Sequence, residues 1–367
     1  GFEFTKYIKY NNYGEIIALR ALNLRHGELD LTDIKRIDRS VSELLPRSKL
    51  YINDILLTYT GNGYGDCAII EENDKYHLAP NICKIASNVE KVVPYYLYSY
   101  IRTNEFYKIM SSHMTGSSQP TIPMKTIRML PIPLPPIVVQ EKIAEVAYCI
   151  NEKIRKNNAI NKNLEQQAQA IFANEFLSLE TLPEGWKQAS LIDIADYLNG
   201  LAMQNFRPEE NEEFLPVIKI RELSQGYCDN NSEFCTNKID KSHIINKGDL
   251  VFSWSGSLQV AFWTSDRAGL NQHLFKVVSA TYPQWYVYLW VRHHLLNFQR
   301  IAENKGTTFG HIKREDLHSA MIKTVDEYTI ASLNKVFSPI LSAYLKNAAE
   351  VHRLADVQKV LLARLSR

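Results

Sequence analysis

The chain has 367 residues, 45% of them hydrophobic, enough for two or three domains that each bury a core without disulfide staples. Its 42 basic and 40 acidic residues leave a formal charge of only +2, which excludes a surface coated with nucleic acid on every side but not one basic face. No run of about eighteen apolar residues marks a membrane span, and the first ten residues lack the order of a signal peptide. Five cysteines without close pairs predict reduced, mostly buried thiols in a cytoplasmic protein, with no metal site.

The first 135 residues read as short strands rich in β-branched and aromatic side chains, such as Asp54 to Tyr59, broken by Gly, Asn and Asp turns. A helical stretch follows from Tyr95 to Met110, then a polar loop from Ser111 to Pro120. Pro131, Pro133, Pro135 and Pro136 end the extended chain, and Pro136 stands where a helix can start. From there to Phe176 neither proline nor glycine occurs. Ile143, Ala147, Ile150, Ile154, Asn157, Asn161, Leu164, Ala168 and Ile171 follow at spacings of four and three, the mark of a coiled-coil seam. Asn157 and its equivalent at the 190 shift, Asn347, either fix register or sit solvated at a widened seam. A linker near Leu179 to Gly185 leads to a second strand-rich region, residues 179–325, with Asp249 to Trp254 as a strand and Trp285 to Ala302 as a helix. Residues 326–367 form a second long helix with the seam Leu333, Phe337, Ile340, Tyr344, Asn347, Val351, Leu354, Gln358 and Leu361.

The two halves repeat. Pro94 to Arg102 answers Gln284 to Arg292 at a shift of 190, Gly116-Ser-Ser answers Gly306-Thr-Thr at the same shift, and Asn53 to Gly61 answers Gly248 to Gly256 at 195. The second copy has a preface, Leu182 to Asn199, that the first lacks, so we expect the first copy to begin late. The expected fold class is α+β: two repeated mixed α/β units (1–135 and 179–325) separated by two long helices (136–178 and 326–367) that form an antiparallel coiled coil. Such pairing would set the two units at opposite ends, an object that measures a distance and suits DNA with two spaced half-sites.

The Gly116-Ser-Ser-Gln-Pro-Thr-Ile122 loop, the exit Ile132-Pro-Leu-Pro-Pro136, the helix opening Gln140-Glu-Lys-Ile-Ala144, and the second entry Leu182-Pro-Glu-Gly-Trp186 occur in an order that resembles the specificity subunits of Type I restriction-modification systems. The resemblance covers nearly the whole chain. It implies two target recognition domains, each reading one half of an interrupted site in double-stranded DNA. It also implies helices that set the spacer and dock two adenine-methyltransferase subunits, with translocase-nuclease subunits added for restriction. S-adenosylmethionine would sit on the methyltransferases and no cofactor on this chain. No Asn-Pro-Pro-Tyr-like turn and no phosphate-binding glycine loop is present, so we expect no catalytic residue here. The alternatives are a specificity subunit of a related system outside Type I, or a duplicated scaffold that binds proteins or glycans.

Under the DNA reading, the contact candidates lie on loops held by rigid strands. The first set is Thr58, Tyr59, Asn62 and Tyr64, answered by Ser253, Trp254, Ser255, Ser257 and Gln259, which offer hydroxyl, amide and aromatic groups to phosphates and base edges, or make a plain hairpin turn. The second is Gly116, Ser117, Ser118 and Gln119 with Lys125, answered by Lys305, Thr307, Thr308, His311 and Lys313. Gln272 and His273 could read purine edges or be structural. Arg20, Arg25, Lys219 and Arg221, on the first strands of each copy, are phosphate clamps or a solvated strand face.

Overall fold

The computed structural model describes residues 6–25, 27–61, 63–116, 120–304 and 310–365. It divides into two compact units, residues 1–153 with 354–367, and residues 154–353. No described helix is long and apolar enough to cross a membrane.

In unit 1, β1 (Ile16–Leu19) lies between β4 (Lys35–Ile37), antiparallel to it, and β7 (Tyr76–Leu78), parallel to it, while β2 (Leu24–Arg25) and β3 (Glu28–Leu29) form a hairpin. A second sheet sets β5 (Ile55–Thr58) between β6 (Cys67–Ile69) and β8 (Ile82–Ile85), all antiparallel. Unit 2 repeats both with one strand added to each. Its first sheet orders β12 (Phe234–Thr236), β11 (Phe214–Ile218), β16 (Ala268–Leu270) and β13 (Ile244–Ile245). Its second orders β10 (Asp196–Asn199), β17 (Leu274–Val278), β14 (Leu250–Ser253) and β15 (Val260–Phe262). The registers repeat as well: Leu19 pairs with Leu78 where Ile218 pairs with Leu270, and Thr58 with Ile82 where Ser253 pairs with Leu274.

The helical stretch before the polar loop differs between copies. Unit 2 has one helix, Gln284–Asn304, whereas unit 1 has two, α1 (Pro94–Ile101) and α2 (Asn104–Ser112). The break falls at Thr103, whose hydroxyl accepts from Phe106 N at 3.1 Å and so starts the second helix. The exits differ too. In unit 2, β18 (Met321–Thr324) pairs antiparallel with β9 (Lys187–Ser190) of the preface. In unit 1 the equivalent stretch carries Pro131 and Pro133, which have no N–H to give a ladder, and no described strand accompanies it.

The long helices are α3 (Ile137–Phe172), ending in a π-turn over Ala173–Leu177, and α4 (Glu327–Leu365). Their pairing is antiparallel: Asn151 accepts from Gln358 in unit 1, while in unit 2 Asn157 Nδ2 donates to Glu350 at 2.9 Å and Asn161 Nδ2 to the Tyr344 carbonyl at 3.2 Å. Asn157 and Asn161 are thus buried and bonded rather than solvated, whereas Asn347 is only half-buried. Hydrophobic contact fastens the helices to each unit's own core. Phe337 stacks on Trp285 at 4.1 Å beneath the unit 2 sheet, and Leu365 packs against the unit 1 core of Ile55, Leu57 and Tyr98.

One buried group makes unit 1 sensitive to acid. His77 is wholly buried with Nδ1 2.9 Å from Ser42 Oγ, and burial, helped by Lys49 and Lys84, pushes its imidazole down to about 4. The unfolded ring takes up its proton near pH 6.5, so stability is intact above that pH and is lost as pH falls from 6.5 to about 4, by up to roughly 3 kcal/mol. We expect the urea midpoint to drop across this window and the drop to shrink in His77→Gln; an equal drop in both proteins would assign the acid sensitivity elsewhere.

Candidate nucleic-acid interface

The glycine-spaced loop after the central strand of the second sheet is held in each unit by the same set of backbone hydrogen bonds. In unit 1, Tyr59 N donates to Asn81 O at 3.4 Å, Gly61 N to Pro120 O at 2.8 Å, and Ile122 N to Tyr59 O at 3.0 Å. In unit 2, Trp254 N donates to His273 O at 3.4 Å, Gly256 N to Gly310 O at 2.9 Å, and Ile312 N to Trp254 O at 3.0 Å. Antiparallel bridges Thr60 to Thr121 and Ser255 to His311 complete the match. Gly61 at φ +79° and Gly256 at φ +64° turn the chain through the left-handed region, which explains the glycine both copies keep there. At the start of the strand that leads into each loop lies the same partly buried ion pair, Lys84 with Asp54 at 3.6 Å and Lys276 with Asp249 at 2.8 Å.

On this frame the side chains differ. In unit 2, Ser255 Oγ lies 3.0 Å from His273 Nδ1, and the Trp254 ring stands 5.9 Å from the His273 ring and 6.4 Å from the His311 ring. His273 is exposed, with Gln272 Nε2 3.4 Å from its Nε2. Unit 1 places Tyr59, the bonded hydroxyls of Thr60 and Thr121, and an exposed Asn81 there instead. Tyr64 stacks on Tyr107 at 5.2 Å with their hydroxyls 2.7 Å apart, which ties the rest of the loop to α2.

The structure corrects several sequence expectations. Thr58 and Ser253 are not on the loops but end strands, and they are 0% exposed. Gln259 spends its amide on the Ile220 carbonyl at 2.9 Å, whereas Ser257 is exposed. The basic residues expected on the first strands are mostly elsewhere. Arg20 follows β1, Lys219 follows β11, Arg221 lies in the helix Ile220–Gln225, and Arg25 is on β2. They are engaged within the fold: Arg20 with Asp33 at 3.1 Å, Arg25 with Asp30 at 3.6 Å, and Lys219 with Glu233. Arg221 is bidentate on Asp229 at 2.9 and 3.0 Å and holds that carboxyl down to about 2. Lys125, in the short helix Met124–Ile127, and Lys313, which caps the short helix Arg314–Ser319, are both exposed, and Gly116 turns at φ +87°. Asn62, Ser117, Ser118, Gln119, Lys305, Thr307 and Thr308 lie outside the described residues.

Thr60, Asn81 and Thr121, which the sequence analysis does not place among its contact candidates, stand on this frame as well. The available signal was positional: Thr60 precedes Gly61 as Ser255 precedes Gly256, and Thr121 stands opposite His311 at the 190 shift.

Comparison with known proteins places this architecture. A family model described as the Type I restriction modification DNA specificity domain matches twice, over residues 4–170 and 183–358. The chain is similar to the Type I restriction enzyme MjaIX specificity subunit of Methanocaldococcus jannaschii, 23% identical over 297 residues that cover 75% of this chain and 68% of that protein. It is also similar to the EcoBI specificity subunit of Escherichia coli, 26% identical over 170 residues, 44% of this chain and 35% of that one, so it spans about a third of this longer relative. The fold aligns with the crystal structure of a Type-I restriction-modification system S subunit from M. genitalium, at a TM-score of 0.58 and 12% identity over 97% of this chain and 90% of that one.

Proposed function

Since the chain belongs to the family of Type I restriction-modification DNA specificity domains, we propose that it is the DNA-reading, non-catalytic subunit of an adenine methyltransferase, with each unit facing one half of an interrupted site in double-stranded DNA. Two methyltransferase subunits would dock on it and bring S-adenosylmethionine, and translocase-nuclease subunits would join for restriction. The observation that carries this reading is the duplicated frame: one backbone arrangement, presented twice, with different side chains on each copy. A repeated scaffold with divergent tips is what two different half-sites require, because scaffold contacts position a protein on the duplex while side chains at the tips specify bases.

The test is to co-express the chain with a cognate methyltransferase and map methylated adenines across the host DNA. A single interrupted motif is expected, and replacing residues 1–135 or 179–325 with those of a relative should change one half at a time. A methyltransferase complex that forms and methylates without any interrupted motif would refute the reading.

A further inference from the structure

Resting on that half-site reading, we propose that Thr60, Asn81 and Thr121 in unit 1 and Ser255, His273 and His311 in unit 2 are equivalent specificity-determining positions. Each trio is brought together from three separate segments by the three matched backbone hydrogen bonds and the matched bridge, so the positions correspond in space although the shifts between them are 195, 192 and 190.

Within each trio the exposures also correspond. Thr60 and Ser255 are buried hydroxyls, Thr121 and His311 are half-buried, and Asn81 and His273 are exposed at the rim. The buried hydroxyl is a positioning group. Ser255 engages His273 Nδ1, so the exposed ring has only Nε2, which Gln272 Nε2 approaches to 3.4 Å, as its remaining donor or acceptor. Thr60 pairs with Thr121 instead and leaves Asn81 to offer a whole carboxamide. A carboxamide presents a donor and an acceptor side by side, the pattern that meets N6 and N7 of adenine, whereas a fixed imidazole presents a single site suited to one acceptor on a purine edge. The two half-sites therefore differ in the chemistry that reads them: an adenine at the unit 1 trio, and a purine contacted through one atom at the unit 2 trio. Asn81 sits at φ +72°, a conformation that asparagine and histidine both tolerate better than most residues, so exchange is sterically allowed there.

The experiment exchanges the trios in the full chain, co-expressed with its methyltransferase: Thr60→Ser with Asn81→His and Thr121→His, and separately Ser255→Thr with His273→Asn and His311→Thr. Methylation is then mapped. Each exchange is expected to alter one half of the motif, with preference at the affected base changed about tenfold or more and the other half retained. The single variants Asn81→Gly, which keeps the positive-φ backbone, and His273→Ala, at an exposed position, should relax selection at one base of one half even where a triple exchange folds poorly. An unchanged motif in both single variants, or loss of both halves together in a folded variant, would overturn the assignment. A wild-type complex with no interrupted motif would instead defeat the half-site reading on which it rests.

Discussion

Replacing Gln140 with leucine is expected to lower the stability of unit 1 by about 3–5 kcal/mol and to expose the Val93 amide to rapid hydrogen exchange. Gln140 is 1% exposed in the first turns of α3, and its carboxamide makes three bonds there. Its Oε1 accepts from Val93 N at 2.9 Å, and its Nε2 donates to the carbonyls of Lys91 at 3.1 Å and Pro135 at 2.9 Å. Those partners belong to the loop that starts α1 and to the proline exit, so one side chain fastens the long helix to the sheet domain at two places. Leucine fits the volume but leaves one buried donor and two carbonyls unpaired. Unfolding in urea and exchange over residues 88–100 would measure the loss; a midpoint and Val93 protection equal to wild type would show that the three bonds contribute nothing net. Gln140→Glu keeps the acceptor but loses both donors, so it should also destabilise.

The second large effect is expected in unit 2. A Cβ at Gly200 would stand 2.2 Å from Asn271 O and 2.4 Å from Leu270 O, and these atoms are backbone at the end of β16 that no rotamer change can move. Gly200→Ala should therefore cost about 3 kcal/mol or more. The same shift would strain the bonds from Leu201 N to Leu270 O at 2.9 Å and from Gln272 N to Leu201 O at 2.8 Å, which hold the turn that presents His273. Calorimetry should show a lowered transition and, under the proposed function, the methylation map should lose selection in the half assigned to unit 2 before it loses the other. A variant that melts as the wild type does would show that the close approach is relieved at no cost.

Much of the architecture was legible because it is written in residue type and period. The repeat, the two long helices and the seam through Ala147, Ile150, Asn157 and Phe337 could be read from spacing alone, since an apolar face must recur with the turn of the helix. Other features were hidden for identifiable reasons. Thr58 and Ser253 looked like loop hydroxyls, but β5 and β14 are buried on both faces, so no alternation of polar and apolar residues marks where the strand ends. Arg20, Lys219 and Arg221 looked like phosphate clamps because their partners Asp33, Glu233 and Asp229 come close only after folding. Asn81, although it stands opposite His273 in the repeat, and Thr121 were not singled out for the opposite reason: each is an ordinary turn residue in its own segment, joined to the loop only on folding, Asn81 by the bond from Tyr59 N and Thr121 by its bridge to Thr60.

The pairing of β9 with β18 has a consequence for how such proteins diversify. Lys187 stands opposite Thr324 and Ser190 opposite Met321, so the polypeptide enters and leaves the second sheet domain through neighbouring strands, about 5 Å apart as in any sheet. Everything between those two strands is a cassette whose ends meet. A recombination event that replaced it would leave the flanking helices undisturbed provided the new insert kept this two-stranded clasp, so genetic exchange could deliver a new sheet domain to an existing chassis in a single crossover pair.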